Sequence, residues 1–283
     1  MTKVAKERTI GCKDCYHKGY VVEQRGDYSV AKTCKCALRC TECDGTGSIL
    51  SKSDKGYTYI STCNVCGAVR KKVKLYNLAC IPAKYSHVLQ VDAAFEHKGN
   101  QTLQNALKYV KEEFVKKYPS NKRGFLLMGG PGRGKTHLAI GTISELILER
   151  GVKCMFKDFF HLLSELKEAY SQGTPENAVL FPLIETEVLV IDELGKGKSS
   201  EWELNILDQL ISKRYNASKT TLATTNYISR EYSMKRDNKE EQQILEDRVG
   251  ERIASRLYEM CEFIYIEGDD HRGESYKKAK KRG

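Results

Sequence analysis

One segment indicates the fold most directly: Phe125-Leu126-Leu127-Met128-Gly129-Gly130-Pro131-Gly132-Arg133-Gly134-Lys135-Thr136. Four apolar residues precede a glycine-rich loop, and a helical pattern follows the loop as far as Arg150. The loop fits G-x-x-x-x-G-K-[ST] in the strand, loop and helix context that this motif requires. Its glycines let backbone N–H groups converge at a helix N-terminus, where the helix dipole favours negative charge. The loop from Gly129 to Thr136 is therefore predicted to bind phosphate groups.

The loop and a second apolar run together predict nucleotide chemistry. Lys135 is expected to reach the β- and γ-phosphates, and Thr136 is expected to bind Mg²⁺. The run Val188-Leu189-Val190-Ile191 ends in Asp192-Glu193, and ligands of parallel α/β sheets lie at the C-terminal ends of strands. Asp192 is thus placed to hold Mg²⁺, and Glu193 is placed to act as the general base for an attacking water. The sequence predicts a Mg²⁺-dependent ATPase.

A third strand-like run extends from Thr220 to Thr225 and ends at Asn226. The Asn226 amide could orient water or contact the γ-phosphate. Asn also commonly ends a strand as a turn residue. Because it would lie beside the strand that ends in two carboxylates, Asn226 is the favoured third polar group of the site.

The chain has 283 residues and a formal charge of +10, and the charge is concentrated at both ends. Residues 1–80 hold 15 Lys/Arg against 7 Asp/Glu, and residues 271–283 hold 6 against 1. This distribution favours a polyanionic partner at the ends rather than at the centre. No apolar run is long enough to span a membrane, and the charged N-terminus does not resemble a signal peptide. A cytoplasmic protein with no membrane partner is expected.

Eight of the eleven cysteines form four close pairs near the N-terminus, with a spacing that repeats after about 28 residues. In a cytoplasmic chain such pairs indicate metal ligation rather than disulfides. Two structural Zn²⁺ ions are predicted because four thiolates satisfy a tetrahedral ion. The predicted ligands are Cys12, Cys15, Cys34, Cys36, Cys40, Cys43, Cys63 and Cys66.

Two details of this cysteine module remain open. The repeat favours ligand pairing in chain order, whereas Cys40-Thr41-Glu42-Cys43-Asp44-Gly45-Thr46-Gly47 resembles the DnaJ-type cysteine-rich domain, in which the first and fourth pairs share one metal. His17 could replace a thiolate, although four cysteines per unit already suffice. The other cysteines, Cys80, Cys154 and Cys261, are expected to be buried thiols.

The tyrosines of the cysteine module are interspersed with Lys and Arg, at positions 16, 20, 28, 57 and 59. This mixture suits stacking and phosphate contacts with single-stranded nucleic acid. Ordinary packing within two hairpins explains it equally well. Zinc ribbons also serve as docking platforms for proteins, so both kinds of partner remain open for the module.

From Ile81 to Tyr276 the sequence resembles the IstB/DnaC family of AAA+ ATPases, which includes replicative-helicase loaders and transposition helper proteins. The resemblance implies a Walker A loop, a Walker B strand, a sensor I residue at Asn226 and an arginine finger that acts on a neighbouring subunit. Arg256 best matches the finger, with Arg252 as the alternative. The features that carry the resemblance are Gly129 to Thr136, Val190 to Gly195, Ser200-Glu201-Trp202, Lys213 to Asn216, Thr224-Thr225-Asn226 and Glu251 to Leu257.

The three arginines Arg248, Arg252 and Arg256 are spaced four residues apart, which predicts one face of a single helix. A solvated basic face is the alternative interpretation. A finger supplied by a neighbour implies a homo-oligomer, since head-to-tail contacts generate rings or filaments. The functional form is therefore expected to be an assembly of several copies.

The resulting expectation is an α/β fold: an AAA+ P-loop core with a parallel sheet between helices, no C-terminal lid, and a small zinc-bound β-hairpin module in front. The predicted segments are a zinc module over 1–75, a linker and leading helix over 76–120, an ATPase core over 121–270 and a basic tail over 271–283.

The resemblance implies a function as well as a fold. An ATPase of this kind is expected to load a replicative helicase onto single-stranded DNA. A segment that opens a helix at Met155 could contact that DNA through Lys157 or Lys167. The alternatives are a transposition helper that acts with a transposase and a nucleic-acid-binding adaptor that ATP switches.

Overall fold

The protein is described by a computed structural model, which covers residues 12–16, 18–91, 100–234, 243–268 and 270. The chain divides into two compact units. The first comprises Met1–His87 with Ser144–Lys153, and the second comprises Val88–Ile143 with Cys154–Gly283. Among the described residues, no helix is both long and apolar enough to cross a membrane. His17 and the basic tail 271–283 lie outside the described residues.

The first unit is built around two antiparallel hairpins, each closed by a short turn. Its elements in chain order are β1 (Tyr20–Arg25), β2 (Tyr28–Thr33), α1 (Lys35–Leu38), β3 (Ser48–Lys52), β4 (Thr58–Thr62) and α2 (Gly67–Leu78). A turn at Gly26, whose φ of 56° suits glycine, brings Arg25 opposite Tyr28. The two hairpins agree with the β-hairpin module predicted from the sequence.

The two hairpins differ in what covers them. Helix α2 packs on β2, where the buried Tyr76 hydroxyl lies 2.9 Å from Ser29 Oγ. Asn77 extends the edge of β2, because its Oδ1 accepts from the Ala31 N–H at 2.7 Å and its Nδ2 donates to the Ala31 carbonyl at 3.0 Å. On the β3–β4 hairpin, the opposed pair Leu50 and Ile60 is 73% exposed at both positions.

The second unit contains a five-stranded sheet in the order β6-β7-β8-β5-β9, with every neighbouring pair parallel. Its strands are β5 (Gly124–Met128), β6 (Cys154–Asp158), β7 (Val188–Asp192), β8 (Thr220–Thr225) and β9 (Cys261–Tyr265). All residues of β5, β7 and β8 are buried. Continuous apolar or small-residue runs are typical of strands covered on both faces, and this explains why the sequence identified these three strands.

Helices alternate with the strands along the chain. They are α3 (Gln101–Lys108, continued by a π-helical segment Tyr109–Val115), α4 (Lys135–Glu145, continued by Leu146–Arg150), α5 (Phe159–Ser171), α6 (Glu176–Glu185), α7 (Glu201–Asn216), α8 (Arg230–Met234), α9 (Leu245–Val249) and α10 (Glu251–Met260). Helix α7 begins with a capping box between Ser200 and Glu203. The predicted parallel-sheet core preceded by a small hairpin module is confirmed.

Arg214 on α7 is a fully buried cation held by oxygen acceptors. Its guanidinium donates to the carbonyls of Leu183 (2.7 Å), Ile184 (3.2 Å) and Thr186 (3.0 Å) and to the hydroxyl of Thr221 (3.0 Å). Burial lowers its pKa to about 10. The side chain ties the end of α6 to α7 and β8.

Two expectations about local structure are wrong. Residues Cys154–Asp158 form an edge strand rather than opening a helix, because buried Cys154 and Phe156 alternate with half-exposed neighbours. The helix begins at Phe159, after Asp158 caps it by accepting from the His161 N–H at 3.0 Å. Cys80 is exposed, whereas Cys154 and Cys261 are buried as expected.

The structure describes the chain around the predicted boundary near residue 75 and shortly after strand β9. Helix α2 runs through position 75, where the sequence places a boundary, and the first unit continues to His87. Among the described residues after β9, no further helix is present. The four segments named from the sequence stay a prediction.

Candidate nucleotide-binding site and cysteine clusters

The predicted phosphate-binding residues lie at the C-terminal edge of the parallel sheet. Strand β5 lies directly beside β8, with Met128 opposite Thr225, and β7 lies on the other side of β8. The three strand ends therefore deliver the glycine-rich loop, the Asp192-Glu193 pair and Asn226 to one place.

Lys135 is at the centre of this group and is only 6% exposed. Its Nζ donates to the carbonyls of Gly129 and Gly130, both at 2.7 Å, and to Asn226 Oδ1 at 2.8 Å. Three oxygen acceptors thus satisfy the ammonium group. The structure brings the predicted lysine and asparagine into direct contact across two strands.

The glycine-rich loop depends on backbone conformations that suit glycine. Gly129 has a φ of 137°, and a Cβ there would lie 2.2 Å from the Ile266 carbonyl oxygen. Arg133 folds over the start of the loop, where its Nη1 donates to the Tyr265 hydroxyl at 3.1 Å and to the Ile266 carbonyl at 3.2 Å. The loop is therefore anchored to the end of β9.

Asp192 is buried, and two threonine hydroxyls contact its Oδ1. Thr136 lies at 2.9 Å, and Thr224 donates to the same oxygen at 2.5 Å. Burial raises the pKa of Asp192, and the hydrogen bonds from Thr224 and Thr136 oppose that rise. A threonine hydroxyl and a carboxylate in contact are the oxygen donors that Mg²⁺ takes in P-loop proteins. The donor set fits this ion.

Glu193 has a left-handed backbone with a φ of 56°. Its N–H donates to Thr224 Oγ1 at 3.1 Å, and its side chain, 31% exposed, forms an ion pair with Lys196. The hydrogen bond to Glu193 is the main reason why the pKa of Lys196 is raised. The side chain of Glu193, the predicted general base, is therefore partly exposed, and the Lys196 ammonium group lies beside it.

The three arginines do not share one helical face, so that prediction is wrong. Gly250, with a φ of 83°, separates α9 from α10 and places Arg248 on a different helix from the other two. Arg252 has a 72% exposed side chain and lies 3.4 Å from Asp208. Arg256 is 24% exposed and lies 3.3 Å from the same carboxylate. Arg248 donates to backbone carbonyls of the loop that follows Glu193.

The eight paired cysteines form two groups of four in chain order. In the first, Cys12 and Cys34 Sγ lie 3.7 Å apart and Cys15 and Cys36 Sγ lie 3.5 Å apart. The second repeats these distances as 3.7 Å for Cys40 with Cys63 and 3.5 Å for Cys43 with Cys66. A tetrahedral Zn²⁺ with bonds of about 2.3 Å needs sulfurs about 3.8 Å apart, and a disulfide needs about 2 Å. The spacing fits the metal.

Backbone N–H groups support both cysteine groups in the same way. The Gly19 N–H donates to Cys15 Sγ at 3.4 Å, and the Gly47 N–H donates to Cys43 Sγ at 3.2 Å. The groups differ in exposure, because Cys12 and Cys36 are partly exposed whereas all four members of the second group are buried. Arg70 adds a cation beside the second group and donates to the Gly45 carbonyl.

Comparison with known proteins identifies the relationship. Residues 60–282 match the family of IstB-like ATP binding proteins, which is more than half of the chain. The chain belongs to this family. The family resemblance found in the sequence is thereby confirmed.

Individual relatives of this IstB-like protein include the replicative helicase loader DnaC of Escherichia coli strain K12. It is 31% identical over 154 residues, which cover 54% of this chain and 57% of the relative. The DnaC of Buchnera aphidicola from Schizaphis graminum is 28% identical over 164 residues, covering 57% and 59%. The chain therefore spans less than two thirds of the length of these curated relatives.

Solved structures show the same core. The crystal structure of the DnaC helicase loader is similar with a TM-score of 0.55 and 30% identity, over 65% of this chain and 99% of that one. A replication initiator DnaA bound to AMPPCP and single-stranded DNA has a TM-score of 0.50 at 19% identity, over 64% and 50%. The second likeness shows the fold alone.

Several residues at the site of this IstB-like protein escaped the sequence analysis. Thr224 contacts both Asp192 and the Glu193 backbone, although the sequence analysis gave it no role in the site. Asp208 lies about two turns into α7 and meets Arg252 and Arg256 from α10. Lys196 lies three residues after Glu193, so its spacing alone could have indicated an ion pair. The Asp208 contacts depend on helix packing, for which the sequence offers no local signal.

Proposed function

We propose that this protein is a Mg²⁺-dependent ATPase that acts as an oligomer and loads a replicative helicase onto single-stranded DNA. The observation that carries the proposal is the convergence of Lys135, Asn226, Thr136 and Asp192 at one sheet edge. These are the groups that phosphoryl-transfer sites of the P-loop class use. Family membership supports ATP as the nucleotide.

Each polar group has a distinct task in the proposed reaction. The backbone N–H groups of Gly129, Gly130, Gly132, Arg133 and Gly134 would hold the phosphates, with Pro131 shaping the loop. Lys135 would leave the loop carbonyls and Asn226 to contact the β- and γ-phosphates. Asn226, once released from Lys135, can orient a water or contact the γ-phosphate. Its hydrogen bond from Lys135, at 2.8 Å, supports a location beside the phosphate-binding lysine.

The remaining tasks in the proposed reaction are Mg²⁺ binding and activation of the attacking water. Thr136 and Asp192 are the residues that would hold Mg²⁺, which when bound offsets phosphate charge. Glu193 would take the proton from the attacking water as general base. The Lys196 ammonium would have to move away for that step, because it contacts a carboxylate oxygen of Glu193 in the present ion pair.

The arginine finger is part of the proposal and has two candidates. Arg256 fits the family pattern, and Arg252 is the more exposed of the two. Both contact Asp208 of their own chain, so either must leave that carboxylate to reach a neighbour's nucleotide. A finger offsets charge that develops in the transition state, and its need for a neighbour makes turnover depend on assembly.

The cysteine module would hold two structural Zn²⁺ ions in its two groups of four thiolates. Closed four-sulfur sites leave no position for chemistry, so the module would serve partner docking or DNA contact. The relatives named as helicase loaders support a replicative helicase as the partner. The DnaA structure bound to single-stranded DNA makes such DNA a reasonable ligand to test. A cytoplasmic location belongs to the same proposal.

ATP hydrolysis by purified full-length protein tests the proposal. Wild type, Glu193→Gln, Arg256→Ala and Arg252→Ala would be assayed with and without single-stranded DNA, and nucleotide binding would be measured separately. We expect DNA to raise wild-type turnover, and we expect Glu193→Gln and one arginine variant to bind ATP without hydrolysing it. Loading of a replicative helicase onto circular single-stranded DNA would then be measured with the same variants.

Three other outcomes would redirect the proposal. Nucleotide binding without turnover under every condition would favour an ATP-switched adaptor. Turnover that responds to a transposase but never to a helicase would favour a transposition helper. Failure to bind ATP at all would exclude the helicase loader, the transposition helper and the ATP-switched adaptor together.

A further inference from the structure

We propose that Arg248 is a positioning residue that acts within its own subunit and fixes the loop that carries Glu193. The inference rests on the proposed ATPase function. It separates Arg248 from Arg252 and Arg256, although the sequence spaces all three as one set.

Within the described part of the chain, Arg248 contacts a backbone segment and forms no ion pair. Its Nε and Nη2 both donate to the Gly195 carbonyl at 3.2 Å, and Nη2 also donates to the Gly197 carbonyl. One planar guanidinium thus bridges two carbonyls of the segment directly after Glu193. This fork-like geometry is available to Arg and not to Lys.

The Tyr227 ring packs against the Arg248 guanidinium. The Arg248 guanidinium carbon lies 5.3 Å from the Tyr227 ring centroid, within the range of a cation–π contact. Gly195 is enclosed between the two, because a Cβ there would lie 3.2 Å from the Tyr227 ring and 3.3 Å from Arg248 Cβ. The φ of 81° at Gly195 also suits glycine. The loop, the ring and the guanidinium therefore form one packed group.

This group connects the two sides of the proposed γ-phosphate site. Tyr227 directly follows Asn226, which accepts a hydrogen bond from Lys135. Glu193 begins the loop whose carbonyls Arg248 holds, and the Lys196 N–H donates back to the Glu193 carbonyl at 3.0 Å. Arg248 thereby links the loop of the general base to the strand end that carries the water-orienting asparagine.

The consequence concerns alignment rather than binding. Arg248 contacts the loop after Glu193, whereas other residues contact the phosphate-binding loop. Removal of the Arg248 side chain should therefore leave nucleotide affinity nearly unchanged. The base would lose its fixed position, and a misplacement of about 1 Å can lower a rate by about a hundredfold. A defect in kcat with little change in KM is the expected signature.

Single variants test the alignment directly. We expect Arg248→Ala to lower kcat by roughly 10- to 100-fold with nucleotide affinity within about twofold of wild type. Arg248→Lys keeps the charge but cannot bridge both carbonyls, so its kcat should be intermediate. Tyr227→Phe keeps the ring and should resemble wild type, whereas Tyr227→Leu removes it and should lower kcat. Lys116→Ala, which removes an exposed ion pair far along the sequence, is the surface control.

Subunit mixing separates a role within one subunit from a role across the interface. Glu193→Gln subunits lack a base but retain every arginine. Mixed with a variant that lacks the finger, they should restore turnover, because they supply the missing arginine to an intact site. Mixed with Arg248→Ala, they should restore none. Restoration of Arg248→Ala by this mixing, or wild-type kcat in Arg248→Ala alone, would overturn the inference.

Hydrogen exchange gives a readout that does not need turnover. In Arg248→Ala, amides of residues 193–200 should exchange faster, whereas those of the phosphate-binding loop 129–136 should not change. Unchanged exchange at 193–200 contradicts the inference even if wild type proves inactive. Inactive wild type with faster exchange in the variant would instead count against the proposed function and leave the structural role of Arg248 intact.

Discussion

The cysteine module and the nucleotide-binding core reach stability by different means. In the core, every residue of β5, β7 and β8 is buried, and the apolar cluster around them contains residues from most helices. Around the second cysteine group, the buried cluster consists of the four cysteines themselves, with only Ile49 and Val65 packed against it. The core is a conventional hydrophobic interior, whereas the buried cluster of the second hairpin is made mainly of its own cysteines.

The contrast also extends to where polar groups are buried. The core buries charges such as Asp192, Lys135 and Arg214 and satisfies each with named partners. The second hairpin exposes Leu50 and Ile60 instead. A large core can stabilise buried functional groups, since one kcal/mol lost there is a smaller part of the total. A small hairpin has too little total stability to tolerate such a loss.

Metal removal should produce the largest difference between the two regions. Structural Zn²⁺ contributes about 10–16 kcal/mol to the folding of small zinc domains, so a strong chelator should unfold the hairpins while the core still binds nucleotide. Hydrogen exchange over residues 12–66 and over 124–136 would measure both in one sample. Metal analysis should find two Zn²⁺ per chain.

Single cysteine variants sharpen the metal test. Cys40→Ser should cost one zinc ion, whereas Cys80→Ser should cost none because Cys80 is exposed and belongs to neither group. Hairpins that stay protected after complete zinc removal would show that the sulfur groups are not their main source of stability.

The next largest effect is expected at the buried guanidinium of Arg214, which belongs to the nucleotide-binding core. Arg214→Met should lower the free energy of unfolding by about 3 kcal/mol, because several buried carbonyls lose their donor. Lys213→Met, at the adjacent exposed position, should change it by less than about 0.5 kcal/mol. Denaturant titration of both variants provides the measurement, and equal losses would contradict a special role for Arg214.

Asp192→Asn should stabilise the nucleotide-free core while it weakens Mg²⁺ binding. The folded-state pKa of Asp192 is raised by burial, so the ionised carboxylate destabilises the fold once the pH exceeds its ordinary unfolded pKa. The amide carries no such penalty. The variant should therefore melt a few degrees higher than wild type at neutral pH.

An acid series checks the cause of the Asp192 effect. The difference in melting temperature should disappear in acid, where wild-type Asp192 is protonated in both states. A variant that melts lower at neutral pH would indicate that its hydrogen bonds to Thr136 and Thr224 outweigh the burial penalty.

The smallest effect is expected on the exposed face of the second hairpin. Leu50→Ser and Ile60→Ser should each change stability by at most about 0.5 kcal/mol, because both side chains are 73% exposed. Tyr76→Phe, which removes a buried hydroxyl beside Ser29, should cost about 1 kcal/mol in the first hairpin. Calorimetry of the zinc-loaded protein would rank the three variants. A large loss at Leu50 would mean that the two hairpins are covered alike.

Features whose sequence signal lies within one strand, turn or helix could be predicted, and features that depend on distant residues could not. The strands that contain Leu126, Val190 and Leu222 were identified because a buried parallel strand requires a continuous run of apolar or small residues. The strand at Cys154–Asp158 was missed because its alternation is short and a strong helical pattern follows it at once. The roles proposed for Lys135, Asp192, Glu193, Asn226 and Arg256 remain predictions, although the structure shows where each one lies.

The arginine series shows where sequence spacing stops being informative. A spacing of four residues predicts one helical face only if the helix is continuous, and Gly250 ends that continuity. After the break, Arg248 meets the loop of Glu193, whereas Arg252 and Arg256 meet Asp208. No pattern within residues 245–260 encodes these partners, since they belong to other elements.

The fold class, the glycine-rich loop and the set of eight paired cysteines could be recognised from the sequence alone. Those features depend on residue types at short, fixed spacings, which the backbone geometry of one strand, turn or helix dictates. The folded structure was needed to show that Lys135 contacts Asn226, that Thr224 donates a hydrogen bond to Asp192 and that Arg248 donates to the loop after Glu193. Each of these contacts joins residues far apart in the chain, and only the packing of the parallel sheet and its helices brings them together.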